Sequence, residues 1–255
     1  MLCLESTCFA LEWKDSAELE AMFADAGIRG TFVLYDSKED VLIGNNKPRA
    51  YRRFIPASTF KIPNTLIGLT VGAVKDVDEV LPYGGGPQFL KQWEQDMSLR
   101  DAIVISNVPI YRELARRIGL ERMRSNVAQI DYGNNEIGDV VDLFWLKGPL
   151  EISPVEQTLF LNGLARGQLP FPGEAQEAVR EITLIEEGDG WELHAKTGRA
   201  AMDPDIGWWV GWIAKGNDVY AFALNIEIQN PDEVDKRIPL GRMALKRLGI
   251  LPDPK

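Results

Sequence analysis

The chain has 255 residues, of which 45% are hydrophobic, and a formal net charge of −10 at pH 7. An acidic chain without a basic stripe cannot neutralise phosphates, so no nucleic-acid partner is expected. No apolar stretch approaches the roughly 18 residues that a membrane-spanning helix needs, so no membrane span is expected. The length suits one large core, and a single domain over residues 1–255 is predicted.

Histidine and cysteine are scarce. The chain has one histidine, His194, and two cysteines, Cys3 and Cys8, so the usual zinc site cannot be assembled and no metal is expected. The two cysteines either form a small disulfide loop in an oxidising compartment or remain unpaired thiols. Met1–Glu5 lacks the long apolar segment of a signal peptide. Two explanations stay open: a cytoplasmic protein, or a leader replaced by a start methionine.

Strands are predicted near both ends of the chain. Gly30–Tyr35 and Tyr51–Ile55 are rich in β-branched and aromatic residues, which is typical of strands. Three more strands are predicted later, at Trp191–Lys196, Ile206–Ala214 and Asp218–Ile226. The turn Lys215–Asp218 makes the last two a hairpin.

Helical patterning dominates from about residue 59 to 180 and is clearest at Val108–Ile118 and Pro154–Ala165. A closing helix is predicted over about 231–248, ended by Gly249. This order predicts an α+β fold, in which both chain ends form one antiparallel sheet flanked by terminal helices. The sheet lobe would cover about 1–55 and 190–255, and an inserted helical lobe about 56–189. A cleft between the lobes is the expected ligand site.

Ser58-Thr59-Phe60-Lys61 is the most informative motif. Residues i and i+3 share one helix face, so the Lys61 nitrogen can lie beside the Ser58 oxygen. A serine needs a base to become a nucleophile, and in a chain with one histidine the lysine is the natural base. Alone the motif is weak, because Ser58 could equally cap a helix.

Three further motifs follow in order: Ser106-Asn107-Val108 before a helix, Tyr132-Gly133-Asn134 in a polar loop, and Lys196-Thr197-Gly198 at a strand end. Each alone has an ordinary explanation as a cap, turn or strand, but this order and spacing rarely arise by chance. His194 is the rival base for a Ser-His-Asp triad. It lies in a predicted strand, where a histidine is more often structural.

These motifs resemble those of the penicillin-recognising serine enzymes, and most closely the class D (oxacillinase-type) β-lactamases. The resemblance covers nearly the whole chain and includes Pro56–Ile62, Phe144–Leu146 and Trp208–Trp212. Tyr132-Gly133-Asn134, in place of a Ser-Asp-Asn loop, also favours this class. Trp208, Trp209 and Trp212 help to identify the family, but they are predicted to pack a strand rather than to do chemistry.

The resemblance implies a β-lactam substrate, hydrolysed through a serine acyl-enzyme by a single catalytic domain. No cofactor is implied other than carbon dioxide, bound as a carbamate on Lys61, which would be the general base. The implied catalytic residues are Ser58, Lys61, Ser106, Lys196 and Arg199. The backbone N–H groups of Ser58 and Arg199 would form the oxyanion hole, and Ser106 would relay a proton to the leaving nitrogen.

The resemblance also implies residues that bind substrate or line the pocket: Val108, Tyr132, Trp145, Thr197, Gly198 and Arg237. Trp145 would donate its indole N–H near Lys61, and its alternative is a core tryptophan. Arg237 would bind the substrate carboxylate. Its alternative is a surface charge, with Arg242 as the nearest substitute. Residues 199–207 are expected to border the cleft and tune the substrate range.

Two features of the sequence agree with Lys61 as the base. Phe60, Val108, Trp145 and Leu146 would form an apolar pocket around it, and burial lowers the pKa of a lysine. Class A β-lactamases instead activate the deacylating water with a glutamate. Thr158 stands where that glutamate would be, so the base must come from elsewhere.

Two rival readings remain open. A β-lactam sensor or penicillin-binding domain would be acylated without turnover, and a peptidoglycan transpeptidase is a weaker third hypothesis. Val108 favours the hydrolase, because an apolar side chain protects a carbamate whereas a polar one promotes its loss. The resemblance further implies a periplasmic or secreted location. Because the family includes dimers, a homodimer is one expectation for this chain.

Overall fold

A computed structural model describes residues 11–252, so the proposed Cys3–Cys8 pairing lies outside the described residues. Within that range seven strands form one sheet, in the order β1-β3-β2-β7-β6-β5-β4. The strands are β1 (Glu12–Asp15), β2 (Gly30–Asp36), β3 (Val41–Gly44), β4 (Leu184–Gly188), β5 (Trp191–Ala200), β6 (Ile206–Lys215) and β7 (Asp218–Glu227). The predicted α+β fold, with a sheet built from both chain ends, is confirmed.

The sheet is mixed rather than purely antiparallel. The edge strand β1 pairs with β3 in parallel, with Glu12 opposite Val41. The other neighbouring strands pair antiparallel. The predicted hairpin closes with Lys215 opposite Asp218. The long antiparallel run β2-β7-β6-β5 therefore forms the rigid centre of the sheet.

The helices of residues 11–252 are α1 (Ala17–Ala26), α2 (Lys47–Ala50), α3 (Lys61–Thr70), α4 (Leu99–Val104), α5 (Val108–Ile118), α6 (Leu120–Gln129), α7 (Phe144–Lys147), α8 (Pro154–Ala165), α9 (Gly173–Thr183) and α10 (Arg237–Arg247). The predicted bounds of α5 and α8 are confirmed. Both start at strong caps: the Asn107 side chain accepts from the Ile110 N–H, and Ser153 with Glu156 forms a capping box. None of these helices is both long and apolar enough to cross a membrane.

Two local predictions were wrong. Tyr51–Ile55 is not a strand, because α2 precedes it and only Phe54 forms an isolated bridge, to Ile152. Residues 71–98 are mostly loop rather than helix, with one short 3-10 turn at Lys91–Trp93. Gly84, Gly85 and Gly86 all have positive φ, a conformation that a continuing helix does not accommodate.

The sheet packs on both faces. One face packs against α1 and α10, through residues such as Phe23, Trp209 and Leu240. The other face packs against the helical part of the chain, through Trp208, Val210 and Trp212. All three strand tryptophans, Trp208, Trp209 and Trp212, are buried, as predicted for core residues.

The site lies beside an edge of β5 that is not paired with another strand in the described part of the chain. β4 pairs with β5 only as far as His194. Among the described residues, Ala195–Ala200 therefore has β6 on one side and no strand on the other. The 3-10 turn Ala57–Phe60, which leads directly into α3, packs against β5. The fold thus sets the Ser58 turn against the Lys196-Thr197-Gly198 strand.

Candidate active site

Ser58 lies on a sharp turn between an extended segment and α3. Ala57, which is buried, has a φ of 49°, a left-handed conformation that is uncommon for a residue with a side chain. The Thr59 N–H closes the turn onto the Pro56 carbonyl at 3.2 Å. Ser58 itself is half-buried. The turn therefore holds the serine hydroxyl at the edge of the core.

Lys61 contacts this hydroxyl directly. Its Nζ lies 2.8 Å from Ser58 Oγ, as the i, i+3 spacing predicted, and 5.2 Å from the centre of the Tyr111 ring. The Lys61 side chain is fully buried. Loss of hydration lowers the pKa of Lys61 well below its ordinary value, and the neighbouring Lys196 lowers it further. A neutral amine at this distance can accept the serine proton.

Lys196 forms a second serine–lysine pair. Its Nζ donates to Ser106 Oγ and to the Thr197 carbonyl, both at 3.0 Å. Burial lowers the pKa of Lys196 to about 7, and the nearby Arg237 contributes. Ser106 has a φ of 58° in the link between α4 and α5. Asn107, not Ser106, caps α5, which leaves the Ser106 hydroxyl free for Lys196.

Gly198 allows β5 to approach the Ser58 turn closely. A Cβ at this position would lie 3.0 Å from the Pro56 carbonyl oxygen and 3.1 Å from Thr59 Cγ2. Contacts this short are rare, so any larger residue would push the strand away from the Ser58 turn. Thr197, the preceding residue, is half-buried beside the cleft.

Arg237 reaches the same strand from the start of α10. Its Nη1 donates to the Gly198 carbonyl at 2.7 Å, and its Nε donates to the Val234 carbonyl. A Cβ on Gly207 of β6 would lie 2.8 Å from Arg237 Cδ, so that glycine makes room for the side chain. The guanidinium is therefore fixed beside Lys196 and Thr197. Arg242, the substitute considered above, instead pairs with Glu186 at 2.6 Å.

An apolar recess of about 200 Å³ continues from Lys196 and Thr197. Its apolar walls include Ile103, Val104 and Ile238. Val104 is 78% exposed and Ile238 is 42% exposed. The site thus combines two buried lysines and an arginine with an apolar surface at its border.

The chain matches a family model described as the penicillin binding protein transpeptidase domain over residues 30–242. Beta-lactamase OXA-19 of Pseudomonas aeruginosa is 39% identical over 253 residues, covering 98% of this chain and 95% of the relative. Beta-lactamase OXA-48 of Klebsiella pneumoniae is 37% identical over 244 residues, covering 95% and 92%. The crystal structure of FUS-1 (OXA-85), a class D β-lactamase from Fusobacterium nucleatum subsp. polymorphum, superposes with a TM-score of 0.91. That chain is 44% identical, and the match covers 94% of this chain and 100% of that one.

The chain belongs to the class D serine β-lactamases. This confirms the family to which the sequence motifs pointed.

Trp145 packs beside the residue that precedes Lys61. It is fully buried and stacks on Phe60, the neighbour of Lys61, with ring centres 5.5 Å apart. Its indole Nε1 is buried and has no hydrogen-bond acceptor among the described groups. A buried donor of this kind fits a negatively charged acceptor oxygen, such as a carbamate on the Lys61 side chain would provide. The predicted place of Trp145 in the pocket around Lys61 stays a prediction.

Tyr132 lies in the core next to the Ser58 turn. Only 1% of it is exposed, and its hydroxyl donates to Gln157 Oε1 at 3.2 Å. The expected substrate contact of Tyr132 stays a prediction. Its ring packs edge-on against Phe60 at 5.6 Å, so Tyr132 supports the nucleophile turn from the core.

Two further predicted site residues, Val108 and Arg199, differ in their exposure to solvent. Val108 is half-buried at the first turn of α5, two residues after Ser106. The Arg199 side chain is exposed and pairs with Asp205, with a shortest distance of 2.6 Å. The expected role of Arg199 involves only its backbone N–H, which stays a prediction.

His194 has a structural environment. Its Nδ1 lies 2.9 Å from the Arg180 carbonyl oxygen, and its ring stacks on Trp212 at 4.4 Å. Burial lowers the pKa of His194 and favours the neutral ring. None of its hydrogen bonds involves Ser58. Among the described residues, no group of three or more His, Cys, Asp or Glu side chains could hold a metal.

The sequence motifs gave no role to two residues that lie next to the site, Gln157 and Asp205. Gln157 is a buried amide on α8, and Asp205 pairs with Arg199. A polar residue inside an apolar helix pattern was the available signal for Gln157. Asp205 gave no comparable signal, because loop acids are common.

Proposed function

We propose that this class D enzyme hydrolyses β-lactams in two steps, with Ser58 as the nucleophile and the Lys61 side chain as the general base. The 2.8 Å contact between Ser58 Oγ and the fully buried Lys61 Nζ carries the proposal. A nucleophilic serine requires a base within hydrogen-bond reach, and this lysine meets that requirement.

Burial of Lys61 offsets the free-energy cost of keeping this lysine neutral at pH 7. A free lysine has a pKa of about 10.4, so neutrality at pH 7 costs roughly 4.6 kcal/mol at 1.36 kcal/mol per unit. Full burial shifts a lysine by up to about 3–5 units, which is the same scale. Lys61 is fully buried, and its Nζ lies 5.2 Å from the centre of the Tyr111 ring.

The residues present fit a carbamate on Lys61. Lys61 would carry the group, and the Trp145 indole N–H would donate to it. When bound, the carbamate would supply a negatively charged oxygen that can take a proton. Thr158, in the position of the class A glutamate, cannot serve instead, because it is buried and its hydroxyl donates to the Val155 carbonyl at 2.7 Å.

In acylation, the Lys61 side chain takes the Ser58 proton, and Ser58 Oγ attacks the lactam carbonyl carbon. The backbone N–H groups of Ser58 and Arg199 receive the developing oxyanion. The ring C–N bond then breaks. Ser106 delivers a proton to the leaving nitrogen, and Lys196, 3.0 Å from Ser106 Oγ, returns one to Ser106. In deacylation, the Lys61 side chain activates water for attack on the ester.

Arg237 and Thr197 bind the carboxylate that β-lactams carry. A guanidinium held beside Gly198 by backbone carbonyls offers a fixed positive charge next to the nucleophile. Net negative charge elsewhere matters little, because salt screens it beyond about 10 Å.

The test is intact mass of the protein over time after mixing with benzylpenicillin, with hydrolysed penicillin measured in the same sample. We expect a one-penicillin adduct that returns to the starting mass, with product accumulating. Ser58→Ala should show neither adduct nor product. An adduct that persists without product would instead identify a sensor or penicillin-binding domain.

We also propose a cellular location and an assembly for this enzyme, both on the basis of its family. We infer a periplasmic or secreted enzyme, and a homodimer is the expected assembly if the chain associates. Cell fractionation and sedimentation of the purified protein test these two points separately.

A further inference from the structure

The nucleophile turn needs support from its surroundings. Ala57 is buried in a left-handed conformation, and such a conformation persists only where neighbouring groups hold it. The turn is short, a 3-10 segment over Ala57–Phe60 with no side-chain cap. The groups around the Pro56 carbonyl, which closes the turn, are therefore the place to look for that support.

A chain of three buried side chains ends on this carbonyl. Thr59 Oγ1 donates to the Pro56 oxygen at 2.7 Å, and Gln157 Nε2 donates to Thr59 Oγ1 at 2.8 Å. The Tyr132 hydroxyl donates to Gln157 Oε1 at 3.2 Å. Thr59, Gln157 and Tyr132 are each only 1% exposed, so water does not compete for these bonds.

The direction of the chain is fixed by its chemistry. The Pro56 carbonyl can only accept a hydrogen bond, so the Thr59 hydroxyl must donate its single proton to it. Thr59 can then only accept from Gln157, which must present its NH2 group. The amide oxygen is left for Tyr132, and burial raises the pKa of Tyr132, so this hydroxyl stays protonated. Gln157 thus has to donate at one atom and accept at the other.

The same carbonyl lies against β5. A Cβ on Gly198 would lie 3.0 Å from the Pro56 oxygen, and the Thr59 N–H donates to that oxygen. The hydrogen-bond chain therefore ends at the contact between the Ser58 turn and the strand that carries Arg199. The two backbone N–H groups proposed for the oxyanion hole lie on either side of this contact.

We propose that Gln157 is a positioning residue for the acylation step. Its amide sets the orientation of the Ser58 turn relative to β5, and it does so without touching the substrate. This inference rests on the proposed role of Ser58 as nucleophile. A misplacement of about 1 Å at a reacting centre can cost about 100-fold in rate, so loss of this amide should reduce kcat while KM changes little.

Gln157→Glu gives the sharpest test. Glutamate has the same shape as glutamine, but its side chain can donate a hydrogen bond only when the carboxyl group is protonated. Burial raises the pKa of a carboxyl group. Below that pKa the carboxylic acid can donate to Thr59 and accept from Tyr132, as the amide does. Above it, the carboxylate cannot donate to Thr59. The ratio of variant to parent kcat on benzylpenicillin should therefore rise as the pH falls from 8 to 5.

Gln157→Leu and Gln176→Leu form a matched pair. Gln176 is also 1% exposed and also has a fully engaged amide, which donates to the Leu169 and Phe171 carbonyls at 3.0 and 2.9 Å. It lies on α9. Both variants should lose thermal stability, but only Gln157→Leu should lose kcat, by about 10- to 100-fold. Tyr132→Phe, which removes only the hydroxyl, should cause a smaller loss in the same direction.

Equal kcat losses in the two leucine variants would overturn the inference, as would a pH-independent ratio for Gln157→Glu. If Gln157→Leu does not fold, Gln157→Glu and Tyr132→Phe decide the matter. Failure of the proposed function would appear differently, as turnover that survives in Ser58→Ala.

Discussion

The two serine–lysine pairs of this protein have nearly the same geometry but different surroundings. Lys61 Nζ lies 2.8 Å from Ser58 Oγ, and Lys196 Nζ lies 3.0 Å from Ser106 Oγ. Both lysines are buried. Lys196 has a carbonyl, that of Thr197, as an additional acceptor, whereas the aromatic face of Tyr111 lies near Lys61.

We propose that the two pairs divide the proton chemistry. Burial and the charge of Lys196 lower the pKa of Lys61 well below its ordinary value. Burial and Arg237 lower the pKa of Lys196 to about 7. In this proposal Lys61, which contacts Ser58, accepts a proton, and Lys196, which contacts Ser106 and titrates near neutral pH, gives one. A hydrolysis that deprotonates a serine and protonates a nitrogen needs both.

Removing Lys61 should cause the largest loss. Lys61→Ala deprives both steps of their base, and we expect kcat/KM on benzylpenicillin to fall by about 10⁴-fold. Steady-state hydrolysis measures this directly. Lys38→Ala, at an exposed turn, is the control and should stay near the parent. Near-normal activity of Lys61→Ala would refute the assignment of the base.

Removing Lys196 should cost less. Lys196→Met keeps the length of the side chain but cannot return a proton to Ser106, so acylation should slow by about 100-fold. Stopped-flow acylation under single-turnover conditions isolates this step. A loss confined to deacylation would contradict the proposed division between the two pairs.

Loss of the Trp145 indole N–H should affect only the Ser58–Lys61 pair. Trp145→Phe keeps an aromatic ring in contact with Phe60 but removes the buried indole donor. We expect about a 10-fold loss of kcat, the scale of a hydrogen bond to a charged group. Added bicarbonate should restore part of the rate, because it raises occupancy of the weakened carbamate. If bicarbonate has no effect on this variant, the role of Trp145 is wrong.

The second pair should leave a signature in stability. Between pH 7 and 10 the unfolded chain holds a proton on Lys196 that the folded protein lacks, because burial lowers this pKa from 10.5 to about 7. Raising the pH through this window therefore favours the folded state. Denaturant unfolding at pH 7 and pH 9 should show the parent gaining stability relative to Lys196→Met. The same difference at both values would mean that Lys196 keeps its ordinary pKa when folded.

Local patterns predicted much of this molecule. The bounds of α5 and α8 follow from caps and apolar spacing, and the β6–β7 hairpin follows from its turn. The Ser58–Lys61 contact follows from helical spacing. The contact of Lys196 with Ser106 spans 90 positions of sequence, and only the family resemblance brought these two residues together.

What the sequence did not reveal depends on contacts between distant segments. The short strands β1, β3 and β4 are defined by their partners rather than by their own composition. Aromatic residues at 51–55 suggested a strand, but the backbone there makes one isolated bridge. The Tyr132-Gly133-Asn134 motif suggested that Tyr132 binds substrate. Only the packing shows that its hydroxyl donates to Gln157.

The central claim is that Lys61, which lies 2.8 Å from Ser58 Oγ, is the lysine whose amine adds carbon dioxide and serves as the base. Only a neutral amine adds carbon dioxide, so ¹³C NMR of the protein equilibrated with ¹³C-bicarbonate tests the claim most directly. We predict one carbamate resonance in the parent, retained in Lys196→Met and lost in Lys61→Ala. A parent without that resonance, or a resonance that survives in Lys61→Ala, would contradict the account.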